Sequence, residues 1–296
     1  MKTDVRTILR DIQAAARIGH VESLWAALDQ LQDIPQIGGN HPLDETLIHQ
    51  VLLPVGKAIS RMRITQAAMQ PLIRHSFAAY RAAAGVALVT RYLDGSNNTT
   101  LKDINSLVQD PRADVRLAIQ MTVAQMPDPE PDKLQTLFST WQASDSPRIQ
   151  ALAYQILPHL PEEIILKQVR NMQTESTEVP AELRNTIAST LSQLGAGGHS
   201  EAVLGILSSW AAQEDPDYRI IADSLSKPWA AAYPELTLEI LTRLAGKAGA
   251  RKRIRKALEN LNRNGAEEQV AAVLESWRSA ENPHLRAAGN DEKLNI

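Results

Sequence analysis

Apolar residues recur along most of this chain at intervals of three and four, the spacing that aligns side chains on one face of an α-helix. In RKRIRKALENL, residues 251–261, Ile254, Ala257, Leu258 and Leu261 fall at i, i+3, i+4 and i+7. VRLAIQMTVAQM and LRNTIASTLSQL repeat the pattern, and a second amphipathic run precedes such stretches: DKLQTLFSTWQ, EAVLGILSSWAAQ and EEQVAAVLESWRSA. Each unit therefore predicts a helix A, a short turn and a helix B. Gly-containing breaks such as LGAGGHSEAV and NRNGAEEQV lead to the next unit.

The units recur at a fixed interval. Arg81, Arg116, Gln150, Arg184, Arg219, Arg251 and Arg286 occupy equivalent slots 32 to 35 residues apart, with Pro111, Pro147, Pro180, Pro216 and Pro283 shortly upstream. A Pro suits the first helical turn, where its missing N–H costs nothing, and Asp110 and Asp215 before it are expected N-caps. The segments WAAQEDPDYR and WRSAENPHLR, 67 residues apart, are two copies of one joint, with Trp141, Trp210 and Trp277 closing helix A in alternate units. A helix pair this small cannot bury both apolar faces alone, so stacking of neighbours into an all-α solenoid with a period of about 34 residues is the expectation.

DPRADVRLA (Asp110, Val115, Arg116) resembles the HEAT-repeat signature, and DSPRIQALA and EDPDYRIIA are looser versions. The resemblance covers residues 64–288 and implies stacked antiparallel helix pairs whose B helices line a concave binding surface. Tetratricopeptide repeats share the period, but their Trp-Leu-Gly and Tyr positions in helix A are missing.

Outside the array the pattern loosens. Residues 1–63 read as an N-terminal helical cap: two helices broken at Gly19-His20, a Gly/Pro loop at IPQIGGNHP, then a long apolar stretch that Pro54 and Gly56 should kink or split. DGSNNTT separates the first two units, its sequons at Asn97 and Asn98 reading as a polar loop. Residues 289–296 read as a polar tail.

Ala and Leu dominate a 44% hydrophobic chain that is only 4% aromatic, which suits helices packed closely on helices. A formal charge of −3 gives no global pull towards nucleic acid or membrane. With no Cys there is no disulfide or thiolate chemistry, and the N-terminal residues lack the apolar core of a secretory signal. No apolar run is long enough to span a bilayer. A cytoplasmic location is expected.

Charge is concentrated in one place. RLAGKAGARKRIRKAL carries Arg243, Lys247, Arg251, Lys252, Arg253, Arg255 and Lys256 and no acid. With Ile254, Leu258 and Leu261 facing the core, Lys252 and Lys256 point away from it, Arg255 flanks them and Arg263 extends the face. Lys247, Lys252, Arg255, Lys256 and Arg263 form the candidate partner-binding patch, for an acidic protein segment or for phosphates; the other reading is a solvated helix face. Trp229 and Tyr233, in the Pro-bounded SKPWAAAYPE, are a candidate aromatic anchor. The six slot arginines, Arg81, Arg116, Arg184, Arg219, Arg251 and Arg286, read as ties to turn acids (Asp110, Asp145, Glu178, Asp215, Glu281) and carbonyls, or alternatively as a row of phosphate contacts. The seven His are scattered without ligand-type spacing, and no phosphate loop or catalytic motif is present, so neither metal, cofactor nor catalytic residue is assigned.

The expectation is a non-catalytic scaffold or adaptor that binds a protein or extended segment on the helix-B surface. A nucleic-acid-binding protein related to the HEAT-like alkylpurine DNA glycosylases is the alternative. That family's Asp and Trp in a basic groove do not map here, because the periodic Trp fall on helix A. A lyase or chaperone acting on a cofactor-bearing client is the third class.

Overall fold

The structure is a computed structural model that describes residues 5–38, 41–62, 66–95, 101–174 and 180–291. Asn97, Asn98, Glu178, the boundary expected at 63/64 and the tail beyond Asp291 lie outside the described residues. Among those described, every regular element is helical, and no helix is long and apolar enough to cross a membrane. The chain divides into two compact units, Met1–His159 and Leu160–Ile296.

The first unit contains α1 (Val5–Ile18), α2 (Val21–Asp29), α3 (Pro35–Gly38), α4 (Glu45–Leu47), α5 (Leu53–Ser60), α6 (Gln66–Ile73), α7 (Ala78–Leu93), α8 (Leu101–Val108), α9 (Ala113–Ala124), α10 (Pro131–Gln142) and α11 (Pro147–Ile156). The break after α1 falls at Gly19, and the His20 ring caps α2 by accepting the Ser23 N–H. The IPQIGGNHP segment is not wholly a loop, since Pro35–Gly38 closes a helical turn. Nor do Pro54 and Gly56 divide the apolar stretch. Helical backbone runs from Glu45 to Ser60, widened at Ile48–Leu52 just before Pro54, so the ring's clash with the preceding turn is absorbed there. Gly56 is a contact point: a Cβ would lie 2.4 Å from Val86 Cβ, so its absence lets α5 approach α7. At the end of α5 the buried Arg91 donates to the carbonyls of Ile59, Ser60 and Met62, in the last turn where carbonyls run out of intrahelical donors.

The second unit contains α12 (Glu162–Thr174), α13 (Arg184–Leu194), α14 (Ser200–Ala211), α15 (Tyr218–Leu225), α16 (Pro234–Ala245), α17 (Arg251–Arg263), α18 (Glu267–Arg278) and α19 (Pro283–Gly289). α14 packs between α12 and α16, and α16 also meets α18; α15 packs between α13 and α17. From α12 to α18 the first of each helix pair thus lies on the first of the next, and the second on the second, whereas α19 packs on α18 and α16.

The tryptophans that close the first helix of a pair tie it to its neighbour. Trp141 Nε1 donates to Asn105 Oδ1 at 2.9 Å, Trp210 Nε1 to Met172 O at 2.8 Å, and Trp277 Nε1 to Thr242 Oγ1 at 3.1 Å. All three side chains are buried, and an indole so placed needs a partner for its N–H.

Candidate partner-binding site

α17 forms because one stripe of it is apolar and the rest is charged. Ile254, Ala257, Leu258 and Leu261 are buried, while Lys252, Arg255, Lys256 and Arg263 are exposed on successive turns of the opposite face. Asn260 and Asn262 are buried too. The Asn260 amide donates to Lys227 O at 2.8 Å, fixing α17 against the 228–232 turn. Periodicity alone gives no hint of these two, since Asn reads as polar at any register.

The five cations assigned from the sequence are not equally placed. Lys247 is half-buried and its ammonium donates to Gln213 O (3.1 Å) and Glu214 O (3.2 Å), so it closes the turn after α14 rather than joining the patch. Glu259, the residue that follows the acid-free run, lies 2.7 Å from Arg255 Nε and 3.8 Å from Arg263 Nη2. Pairs this exposed are worth about 0–1 kcal/mol and are screened by salt, but they reduce the local potential. Lys252 and Lys256, with the half-buried Arg253, have no carboxylate within ion-pair distance among the described residues. The positive density therefore lies towards the start of α17.

There the helix borders a recess of about 470 Å³ lined by Arg184, Asp215, Pro216, Asp217, Tyr218, Arg219, Gly249, Lys252 and Arg253. Three helix starts meet around it. Asp217 is the N-cap of α15, accepting the N–H groups of Arg219 and Ile220, and Arg184 Nε lies 2.6 Å from its other oxygen. The expected cap, Asp215, stands two residues earlier, and Pro216 precedes the helix instead of opening it. The start of α17 has no such acid. Its N-cap is Ala250, no side chain bonds the free amides, and the first turn holds no carboxylate. Gly249 adopts a φ of +85°, a left-handed turn that an L side chain resists; a Cβ there would also come within 3.3 Å of the Tyr218 hydroxyl.

The slot arginines divide into two groups. Arg81 bonds Asp110 through Nε (2.6 Å) and Nη2 (3.2 Å) and donates to His75 O and Ser76 O. Arg116 donates to Asp110 O, and Arg286 to Ala280 O and Glu281 O, equivalent carbonyls of their own turns. Arg184 reaches Asp217 of the following turn, and Arg251 lies 3.1 Å from Asp291. Arg219 differs: among the described residues its guanidinium has neither hydrogen bond nor ion pair, and it faces the recess. The recess residues come from three segments about 34 residues apart. The slot spacing placed Arg184, Arg219 and Arg251 in register, but only the folded turns bring Lys252 and Arg253 beside Arg219.

The aromatic pair is less open than the sequence suggests. Trp229 is half-buried and its indole packs on Gly195, where a Cβ would come within 2.5 Å of the ring. That ring face is used for packing on Gly195. Tyr233 lines a separate, mostly apolar recess with Leu204, Leu236 and Ile240.

In the first unit the acids dominate the turn chemistry. Asp114 accepts from Arg112 (2.6 Å to Nη2), from the Leu43 N–H (2.9 Å) and from the Val115 N–H (3.0 Å). Burial alone raises the Asp114 pKa, but these donors together hold it below the ordinary carboxylate value, and Arg112 is raised in turn. Burial also lowers His75, whose ring stacks on Tyr80 at 4.1 Å. Among the described residues no three His, Asp or Glu side chains come together as metal ligands.

No protein-family model matches the chain, and no curated protein matches it.

Proposed function

We propose that this chain is a HEAT-like α-solenoid adaptor, non-catalytic, whose helix-B surface around α17 receives an acidic segment of a partner protein. The face of α17 carries the reading: Lys252, Arg255, Lys256 and Arg263 stand exposed along it and, among the described residues, meet one carboxylate, Glu259. The pairing of first helices with first helices, and the Trp bonds between residues 35 to 38 apart, support the stacked-repeat part of the reading. Charge complementarity selects the partner's chemistry.

A protein segment is favoured over a nucleic-acid backbone because the cations do not continue along neighbouring helices. On α15 the residues that are not buried are Tyr218, Arg219 and Asp223, and α13 offers Asn185, Ser189 and Gln193 beyond Arg184. A duplex needs several phosphates neutralised along its length.

The reading is tested by anisotropy with a fluorescent Asp/Glu-rich 12-residue peptide and, separately, a 12-base-pair duplex. Saturable peptide binding that weakens at least about ten-fold in Lys252→Glu/Lys256→Glu is expected. Equal affinity of that variant and the unaltered chain would remove the proposal. Tighter binding of the duplex, with a steep salt slope, would replace it with the nucleic-acid reading.

A further inference from the structure

We propose that the recess between the starts of α13, α15 and α17 is a binding site for a phosphate group, the dianion of a phosphorylated Ser or Thr in the acidic segment; this rests on the adaptor reading above. The first argument is charge. Arg184, Arg219, Lys252 and Arg253 face Asp215 and Asp217 across about 470 Å³, a surplus of two positive charges. A carboxylate supplies one negative charge, whereas a phosphomonoester supplies about 1.5 to 2 at neutral pH and three acceptor oxygens. The phosphate matches the surplus; Glu or Asp leaves it half-compensated.

The second argument is unused donors. Arg184 and the α15 cap are already engaged by Asp217. The side chains of Arg219, Lys252 and Arg253, and the Tyr218 hydroxyl beside Gly249, have no protein partner among the described residues. Guanidinium groups that present several N–H donors in a plane suit the oxygens of one phosphate, through charge-assisted bonds. The start of α17, with neither cap nor acid, adds the positive end of a 13-residue helix on the same side. Size is the third argument. The recess admits a phosphorylated side chain, and the exposed cations on α17 continue from its rim towards Arg263, where flanking acids of the same segment would lie.

The test uses the full chain and three probes at fixed ionic strength: a Glu-rich peptide with a central phosphoserine, the same peptide with Ser, and inorganic phosphate. We expect the phosphopeptide to bind at least about ten-fold more tightly than its Ser form. Arg219→Ala/Arg253→Ala should abolish that advantage while leaving the Ser peptide within about two-fold, and Lys252→Gln, at an exposed position, should reduce it too. Arg255→Glu/Arg263→Glu should weaken both peptides alike. No advantage for the phosphopeptide, or an advantage that survives Arg219→Ala/Arg253→Ala, overturns the phosphate site while leaving the adaptor reading intact. If neither peptide binds but inorganic phosphate shifts the backbone amide resonances of Lys252 and Arg253 saturably, the recess takes the free ion and the adaptor reading falls. Shifts reproduced by chloride at equal ionic strength overturn the site altogether.

Discussion

Two recesses, one in each compact unit, are built from the same parts and end with different charge. In the first, about 560 Å³ lined by α6, α8 and the turn before α9, Arg74 and Lys102 stand with Asp103 and Asp110. Its two cations are matched in number by two carboxylates, although Asp110 is engaged by Arg81 and the Arg112 N–H and neither Arg74 nor Lys102 has an ion pair among the described residues. In the second, four cations meet two carboxylates, and three of those cations have no partner among the described residues. The difference lies in where the acids fall. In the first unit Asp110 and Asp114 occupy the turn and first helical turn of one pair. In the second, Asp217 serves α15 and nothing equivalent serves α17. A turn that satisfies its own charges is a joint; one that leaves a surplus is available to a ligand.

Substitution should separate the two most clearly at the acids. Asp114→Ala removes the acceptor for Arg112, Leu43 N–H and Val115 N–H together, and should destabilise the first unit by about 2–3 kcal/mol. Asp217→Asn keeps an N-cap oxygen and loses a partner for a half-exposed arginine, for about 1 kcal/mol or less. Urea midpoints measure both, and equal losses would break the comparison. Acid should act on the same site. Because the folded pKa of Asp114 lies below its unfolded value of 3.8, its contribution is complete above that value and is lost as pH falls through the folded pKa. Asp114→Asn should flatten that part of the stability–pH curve.

The arginines sharpen the contrast at smaller scale. Arg81→Ala should cost about 1–2 kcal/mol, since it breaks two bonds to the buried Asp110 and two to turn carbonyls. Arg219→Ala and Arg253→Ala should change stability by no more than about 0.5 kcal/mol, because neither side chain has a partner among the described residues. One further effect, of comparable size, has the opposite sign. Lys252→Glu places an acid in the first turn of α17 beside unpaired cations, and should stabilise by about 0.3–1 kcal/mol while abolishing phosphate binding. Thermal melts with and without phosphate read both.

What the sequence made legible was whatever depends on spacing. The helix pairs, the break at Gly19, the core stripe of α17 and the terminal Trp of alternate first helices all follow from apolar positions repeating at helical intervals. What it missed depends on contacts between turns. Gly56 reads as a breaker along the chain and is a point of close approach across it. Asp215 has the expected cap position before Pro216, yet the cap is Asp217, because the Pro lies outside the helix. Lys247 belongs by sequence to the basic run, and its ammonium instead meets carbonyls 33 and 34 residues earlier. The recess itself has no linear signature: its cations lie on three segments, and the unpartnered state of Arg219 depends on which acids its neighbours already hold.

The three indole bonds also give the molecule an internal set of optical reporters. Each tryptophan reads the seam between its own helix and the first helix of the preceding pair, and each is shielded from solvent by that seam. Trp141 lies in one compact unit and Trp210 and Trp277 in the other, so emission from single-Trp variants would register separation of individual helix pairs. If neighbours come apart stepwise, the emission shifts will spread over different denaturant concentrations; if each unit melts as a whole, Trp210 and Trp277 will redden together.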